Sequence, residues 1–342
     1  GRAVRHCKIA SARSSGATRG ARPGNRFTAT MATDTKSGCC LPAAANAPES
    51  GGAPAHRRGA GAISATMVAL PGGWFRMGAE DGPHPEDGEG PARQVFVDPF
   101  SIAATAVSVD EFARFVAATG YRTLAERIGT SFVFHAFCDP EARFPAPAQA
   151  PWWRQVPGAC WHMPDGPGGQ GRHKADHPVT HIAMEDAQAF CHWSGTRLPT
   201  EAEWEHAARG GLDGQPFPWG ETLEPEGAHR CNVWQGDFPG HDTEEEGFSG
   251  TAPVMSFPPN RWQLYNMTGN VWEWVADRFT TLHSPRPVRN PHGPLNGSHF
   301  VAKGGSHLCH VSYCARYRTS SRQGLLPNTT TGNLGFRVAR AA

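Results

Sequence analysis

Two cysteines five positions apart, Cys309 and Cys314, form the densest set of reactive side chains in this sequence of 342 residues. His307 and His310 flank them, and a glycine pair at 304–305 precedes them. Residues i and i+5 point to opposite faces of a strand and lie far apart around a helix, so two thiols at this spacing meet only across a turn or loop. Glycine permits the sharp bend that such a turn needs.

Four chemistries fit a close cysteine pair. C-x4-C falls within zinc-ligand spacing, but no second CxxC follows to complete a zinc site. A disulfide would close only a small loop and add little stability. A redox dithiol more usually has the spacing CxxC. Two thiolates with few further ligands select Cu(I). Residue chemistry leaves these four alternatives open.

Two further stretches carry oxygen donors at loop positions. Asn232-Val233 is followed by an acidic run at 242–246 and then by Phe248. This stretch resembles a calcium loop but is no EF-hand. Counting from Asp242, position 12 is Pro253, where an EF-hand requires a bidentate Glu. In the second stretch, residues 266–273 begin with Asn and end with Glu, so the loop could surround a hard cation. The alternative for both is a solvated acidic turn.

The remaining cysteines give no disulfide framework. Nine cysteines are an odd number, and most are widely separated. We expect those at 138, 160, 191 and 231 to be small buried hydrophobic residues.

Composition predicts a loop-rich fold. With 40 Gly, 30 Pro and 11 Trp, we expect tight turns and irregular loops held by large aromatic side chains, and few long regular elements. The length allows one large core or at most two domains. Lys and Arg (32) nearly balance Asp and Glu (31), so no nucleic acid or membrane partner is indicated. No apolar run reaches the roughly 20 residues of a bilayer span.

The elements that must position the cysteines are short. Alternating residues predict strands around a Pro-Gly-Gly turn at 67–78 and again at 93–98. Residues 139–180 read as loop, with Trp152, Trp153 and Trp161 as packing side chains.

Three helices are predicted. Capping boxes pair Ser108 with Glu111 and Thr200 with Glu203, and the first precedes an apolar stripe. A third helix spans about 184–194 and stops at a glycine. Before these elements, residues 1–62 are poor in acidic and apolar residues, so we expect a disordered leader with its vicinal Cys39-Cys40 incidental, followed by a folded domain at 63–342.

Six segments occur in a recognisable order. They are 198–205 (LPTEAEWE), 218–220 (PWG), 232–236 (NVWQG), 270–274 (NVWEW), 304–306 (GGS) and 333–337 (NLGFR). Together they resemble the formylglycine-generating enzyme family, also called sulfatase-modifying factors, over about residues 69–338. The stretch 309–318 matches the family's catalytic pair and its surroundings. The resemblance implies an α+β fold: a single, irregular, loop-rich domain of the C-type-lectin-like kind.

The resemblance also implies a reaction. Cys309 and Cys314 would hold Cu(I), and the cysteine of a C-x-P-x-R segment in an unfolded sulfatase would bind as a third thiolate. Dioxygen would be reduced, and the substrate cysteine would become Cα-formylglycine. Catalytic roles beside the pair fall to Ser306, Trp272 and Tyr313. Substrate contacts fall to Asn333 and Arg316.

Two structural calcium ions follow from the same resemblance. The first would be bound by Asn232, the Val233 carbonyl, Glu246 and the Phe248 carbonyl, with Glu246 where vertebrate members have Asp. The second would be bound by Asn266, the Gly269 and Val271 carbonyls and Glu273.

Departures from the family predict the compartment. The two disulfides of vertebrate members correspond here to Cys191 with Val338 and to Ala208 with Thr319, so neither can form. We therefore expect a protein that folds in a reducing cytoplasm. Separately, we expect it to be a monomer.

Two other functions remain to be compared with the oxidase. One is a lectin-like binding module of the same fold that binds a peptide or protein, with incidental cysteines. The other is an iron-dependent sulfoxide synthase, which is disfavoured because such relatives need an added helical, His-bearing domain.

Overall fold

The computed structural model describes residues 41–42 and 61–342. The predicted disordered leader lies almost entirely outside the described residues, as do Cys39 and Cys40. Of the few described residues in this segment, Leu41 is buried against the core, and the Gly61 amide donates to the Trp193 carbonyl at 3.0 Å.

The described part contains four α-helices and fourteen strands, most of them short. The helices are α1 (Val109–Thr119), α2 (Leu124–Ile128), α3 (Met184–Ser194) and α4 (Glu201–Arg209). The strands are β1 (Met67–Leu70), β2 (Gly73–Met77), β3 (Arg93–Val97), β4 (Phe100–Ala103), β5 (Thr130–Phe134), β6 (Trp153–Pro157), β7 (Gly236–Asp237), β8 (His241–Asp242), β9 (Trp272–Arg278), β10 (Val288–Arg289), β11 (Phe300–Lys303), β12 (Arg322–Leu325), β13 (Leu334–Phe336) and β14 (Ala339–Ala341). Short 3-10 turns span Pro85–Asp87, His135–Phe137 and Pro225–Gly227.

The strands form small sheets. Two have three strands, in the orders β1-β4-β14 and β10-β3-β2, and one has four, in the order β12-β11-β9-β13. β5 pairs with β6, and β7 with β8. In the four-stranded sheet β9 runs antiparallel to β11 and parallel to β13. The cysteine pair lies in the connection between β11 and β12, so this sheet holds both ends of the reactive segment.

The capping predictions are confirmed. Ser108 with Glu111 and Thr200 with Glu203 form complete boxes at the starts of α1 and α4. Residues 184–194 form α3, which ends at Gly195 in the left-handed region. A capping box satisfies two backbone amides that have no backbone carbonyl partner within the helix. Local sequence therefore sets these boundaries.

Three elements differ from the sequence prediction. α2 was missed although Thr123 and Glu126 form a capping box, because five residues are too short to show a period. β6 lies inside the stretch predicted as loop, and its pairing with β5 buries Trp153 and Val156. β1 and β2 flank one turn but belong to different sheets. Tertiary pairing decides the second and third cases.

The core combines large aromatic rings with paired charges. Trp153, Trp204, Trp272 and Trp274 are fully buried, and each ring removes about 150–250 Å² from water. At 25 cal/mol per Å² this is roughly 4–6 kcal/mol per ring before entropic costs. Lys303 is also buried, and its Nζ lies 3.1 Å from Glu205 Oε2. No helix among the described residues has the length and apolarity to cross a bilayer.

Candidate active site

The two cysteine sulfurs meet across a turn, as the spacing predicts. Sγ of Cys309 and Sγ of Cys314 are 2.9 Å apart, and both residues are buried. Neither is in a disulfide, and the same holds for the four other cysteines of the described part. The Ser306 amide also faces Cys309 Sγ, at 3.4 Å.

One carbonyl organises this turn. The His310 oxygen accepts hydrogen bonds from the amides of Tyr313 (3.1 Å), Cys314 (2.8 Å) and Ala315 (3.0 Å). Before the turn, Gly305 has φ +72°, and a Cβ there would lie 2.5 Å from the Arg316 carbonyl oxygen. Only glycine fits both the conformation and the close approach. The glycine pair thus performs its predicted role.

The histidines beside the pair face other partners. His307 Nδ1 lies 2.8 Å from the Asn270 carbonyl, and His310 Nδ1 lies 2.7 Å from Ser312 Oγ. Burial lowers the pKa of His307 to about 3, so its ring is neutral. No group of three or more His, Cys, Asp and Glu side chains in the described part is arranged to hold a metal. A structural zinc needs four such ligands, so the zinc alternative loses its support.

A narrow cavity opens onto the two sulfurs. Four predicted site residues line it: Trp272, Ser306, Tyr313 and Asn333. The remaining lining residues have no site role predicted from sequence: Trp152, Trp153, Phe238 and Leu308. Trp152 and Trp153 are predicted from sequence only as packing side chains. The one sequence feature that could have marked them as cavity residues is that they are adjacent.

Ser306 is fixed by a short chain of hydrogen bonds. Thr331 Oγ1 donates to Asn333 Oδ1 at 2.8 Å, and Asn333 Nδ2 donates to Ser306 Oγ at 2.9 Å. The Leu308 amide also approaches Ser306 Oγ, at 3.3 Å. Because Ser306 Oγ is the acceptor in both contacts, its own proton remains available to a group in the cavity.

Trp272 offers a second donor. Its ring is fully buried, and its indole Nε1 has no hydrogen-bond partner within the described residues. Its backbone amide donates to the Asn333 carbonyl at 2.8 Å and so ties β9 to the segment before β13. A buried, unpaired N–H at a cavity wall is a costly feature that a bound group would relieve.

Aromatic rings form the cavity wall. Tyr313 stacks on Phe238 with centroids 4.7 Å apart and planes at 6°, and it meets Trp152 edge-on at 4.6 Å. Tyr317, which was not predicted as a site residue, lies close to both sulfurs. Burial first, and then the neighbouring Cys309, Cys231 and Cys314, raise the pKa of its hydroxyl.

Arg316 points away from this cavity. It is buried, and its Nε is paired with Asp87 Oδ2. A contact with substrate would therefore have to share or replace Asp87, and the predicted role stays a prediction.

A larger cavity elsewhere contains none of the predicted site residues. Its lining includes Cys191, Arg197 and Glu203. The last two form a bidentate ion pair at 2.6 and 2.7 Å, so their charges are mutually satisfied. The single cysteines at 138, 160, 191 and 231 are all buried, as predicted. Burial raises the pKa of Cys191 to about 12, which leaves an inert thiol.

The first predicted calcium site contains unsatisfied oxygens. Asn232 Nδ2 donates to the Gly250 carbonyl at 2.8 Å, which leaves Oδ1 buried and unpaired. Glu246 Oε2 is likewise buried without a partner in the described part. Burial, chiefly, raises the pKa of Glu246 to about 7. The Val233 carbonyl already accepts from Gln235 Nε2 at 3.2 Å. These donors fit a hard cation.

The second predicted site fits in part. Asn266 Oδ1 is buried and unpaired, and Asn266 itself has φ +48° in a tightly curled loop. Glu273 is already engaged: Arg337 binds both of its oxygens, at 2.6 and 2.7 Å, and Trp204 Nε1 donates to Oε2 at 2.7 Å. A carboxylate accepts about four hydrogen bonds. Glu273 could therefore give a cation one remaining lone pair, on Oε1.

The two predicted calcium loops touch each other. Gly269 has φ +75°, and a Cβ there would lie 2.4 Å from the Asn232 carbonyl oxygen. Asn270 joins the loops further, because its Oδ1 accepts from Asn232 Nδ2 at 3.2 Å. Phe248 and Val271, whose carbonyls are also predicted ligands, lie in these same loops.

Comparison with known proteins gives a consistent picture. A family model described as the sulfatase-modifying factor enzyme 1-like domain matches residues 56–342. A formylglycine-generating enzyme of Thermomonospora curvata is 53% identical over 293 residues, which cover 83% of this chain and 96% of that protein. The formylglycine-generating enzyme of Bos taurus is 50% identical over 276 residues, covering 80% and 74% respectively. Among solved structures, PvdO from Pseudomonas aeruginosa is 25% identical with a TM-score of 0.60, covering 81% of this chain and 94% of its own.

Proposed function

Because the chain belongs to the sulfatase-modifying factor family, we propose that Cys309 and Cys314 hold Cu(I) and use dioxygen to oxidise the cysteine of a C-x-P-x-R segment. The chain is an enzyme that converts a sulfatase cysteine to Cα-formylglycine, as its relatives' names state. The predicted family, the fold class and the conversion of a cysteine to formylglycine are confirmed. Copper, dioxygen and the sequence motif of the substrate belong to the proposal.

One observation carries the proposal. Two buried thiols face each other at 2.9 Å at a cavity that also presents a hydroxyl and an unpaired indole N–H. A lectin-like binding module would not need two cysteines held this close without a disulfide between them. The donor set also favours a soft metal, since two sulfurs with no nitrogen or carboxylate ligand select Cu(I) over Zn²⁺ or Ca²⁺.

Copper would supply the one-electron chemistry with dioxygen that thiols lack by themselves. The protein supplies position and exclusion of water. Trp272 and the aromatic wall keep the cavity dry, and Ser306 Oγ–H is free to donate to a substrate sulfur. Asn333 fixes the direction of that proton, because its amide occupies a Ser306 lone pair at 2.9 Å.

The reaction must balance. Converting a cysteine –CH2SH and water into an aldehyde and hydrogen sulfide releases two electrons and two protons. Reduction of dioxygen to two waters takes four electrons, so two more must come from an external thiol that becomes a disulfide. A thiol reductant is therefore part of the proposal.

The test is conversion of a C-x-P-x-R peptide by the copper-loaded protein with dioxygen and a thiol, read as peptide mass and aldehyde reactivity. We expect Cys309→Ser and Cys314→Ser each to lose at least about a thousandfold in kcat/KM, because no second ligand replaces a lost thiolate.

Cys191→Ser is the matched control. It removes a buried thiol whose neighbour Thr196 can bond the new hydroxyl, and it should keep its activity. Turnover that survives in Cys309→Ser, or that is equal with and without copper, would contradict the proposal.

Three further features are proposed with it. The unpaired oxygens of Asn232, Glu246 and Asn266 support two structural Ca²⁺ ions. Cys191 with Val338 at a family disulfide position supports a reducing, cytoplasmic compartment. We also propose a monomer as the active unit.

A further inference from the structure

A short acidic segment lies along the chain that follows the second cysteine. We call residues 84–89 the strap. Asp87 pairs with Arg316, and Glu89 Oε2 accepts from Arg318 Nη2 at 2.7 Å. Ser320 Oγ donates to the same Glu89 oxygen at 2.8 Å. The strap thus follows alternate residues of the segment 314–320.

The first contact of the strap is to the active site itself. His84 Nε2 is hydrogen-bonded to the backbone carbonyl of Cys314, 230 positions along the chain. A carbonyl oxygen only accepts, so Nε2 carries the proton. On the other side of the ring, Nδ1 lies 3.2 Å from Glu86 Oε1, a carboxylate oxygen that also only accepts, so Nδ1 donates to it when it too carries a proton. The His84 side chain is only 18% exposed.

The backbone beyond Cys314 needs such support. Ala315 has φ +49°, a left-handed conformation that residues with a Cβ rarely adopt. Strained residues persist only where their surroundings hold them on several sides. His84 holds the peptide before Ala315, and the Asp87–Arg316 ion pair holds the residue after it. Together they hold the backbone on both sides of Ala315.

We propose that His84 is a positioning residue for the reaction, which acts by holding the Cys314 carbonyl and thereby the geometry of the two sulfurs. His84 lies outside the six short segments that carry the family resemblance, so the sequence alone did not mark it as a site residue. This role of His84 deepens the proposed function. Only the Cu(I) measurement rests on that function. The thiol–disulfide equilibrium of the metal-free pair tests it separately.

The experiment compares His84→Ala with the natural chain. Cu(I) affinity is measured by competition with a chromophoric chelator, and the metal-free pair is equilibrated with glutathione buffers. We expect Cu(I) affinity to fall about tenfold, as for other groups that orient metal ligands. We also expect the equilibrium constant for disulfide formation to fall about tenfold, a shift of about 30 mV toward a more oxidising potential.

His84→Gln is the rescue variant, because its Nε2 can reach the same carbonyl, and it should restore both quantities to within about threefold. His299→Gln is the matched control, since His299 bonds only the neighbouring Ser298 by its side chain in the described part. It should change neither quantity. If His84→Ala does not fold, His84→Leu fills the ring's volume without a donor and takes its place.

The inference is overturned if the donor-less variant matches the natural chain within twofold in both measurements, or if His84→Gln is as defective as that variant. A natural chain that fails to convert the peptide, while the His84 variants still shift the potential as expected, would contradict the proposed function and leave this inference standing.

Discussion

At the scale of single residues, the site is defined by which lone pairs and protons its neighbours leave unused. Ser306 Oγ accepts from Asn333 and from the Leu308 amide, so neither contact uses its proton. Trp272 Nε1 has no partner in the described part of the chain. Both groups can therefore interact with a reacting atom without first breaking a bond to the protein.

We predict that Ser306→Ala lowers kcat/KM for the peptide by about ten- to a hundredfold. This is the usual loss for a hydrogen bond to a charged group such as a thiolate. The measurement is steady-state turnover of the copper-loaded protein.

Ser321→Ala is the control for this change. Ser321 is equally buried, but its Oγ has no partner within the residues described, so its removal should leave turnover intact. Equal turnover in Ser306→Ala and Ser321→Ala would mean that the Ser306 hydroxyl takes no part.

At the scale of elements, α4 links the sheets to the site. Trp204 from this helix donates to Glu273 on β9, and Glu205 binds Lys303 at the end of β11. β11 leads directly into the turn that carries the two cysteines, and β9 begins at the end of the second predicted calcium loop. The helix also buries His206 between Phe75 and Trp262, with ring centroids 4.9 and 4.8 Å away.

His206 makes stability depend on pH in a definite direction. Burial lowers its pKa from 6.5 to about 4. The unfolded chain therefore binds a proton more readily than the folded one between these values. The stabilisation from the neutral ring is complete above pH 6.5 and is lost as the pH falls toward 4.

We predict that His206→Phe flattens this dependence. Between pH 7 and pH 5 the free energy of unfolding should fall by about 2 kcal/mol less in the variant than in the natural chain. Urea unfolding at the two pH values measures it. His206→Gln also lacks the titrating group, so it should show the same flattened slope at lower stability. Parallel pH profiles for all three proteins would disprove the prediction.

At the scale of the whole molecule, short elements leave much of the chain to be held by loop contacts. The sheets have two to four strands, and the segments that carry the proposed ligands are irregular. Buried oxygens of Asn232, Glu246 and Asn266 find no donor in the described part. A bound cation would satisfy these oxygens and join two loops that already touch at Gly269 and Asn232.

We predict that removing calcium destabilises the whole domain. At a hundred times its dissociation constant, one bound ion contributes about 2.7 kcal/mol. For a domain of this size that corresponds to a fall in Tm of several degrees on adding EDTA. Calorimetry with EDTA, followed by calcium or magnesium, measures the effect.

Glu246→Gln should reduce this response by removing the charged ligand of the first site. An unchanged Tm with EDTA, or equal recovery with magnesium and calcium, would argue against calcium at these loops.

Sequence by itself determined what depends on near neighbours. The starts of α1 and α4 follow from capping boxes three residues apart, and the meeting of Cys309 with Cys314 follows from a spacing that only a turn can close. The family and its reaction followed from ordered segments, because these carry the residues that a shared site requires.

Tertiary structure alone decided what depends on distant partners. β6 exists because β5 pairs with it, and Glu273 is engaged because Arg337 and Trp204 reach it. The same holds for the cysteine pair. Its spacing predicted a meeting of sulfurs, but the contact of His84 with the Cys314 carbonyl spans 230 positions. No local pattern encodes such a contact, since its energy arises only once the chain has folded.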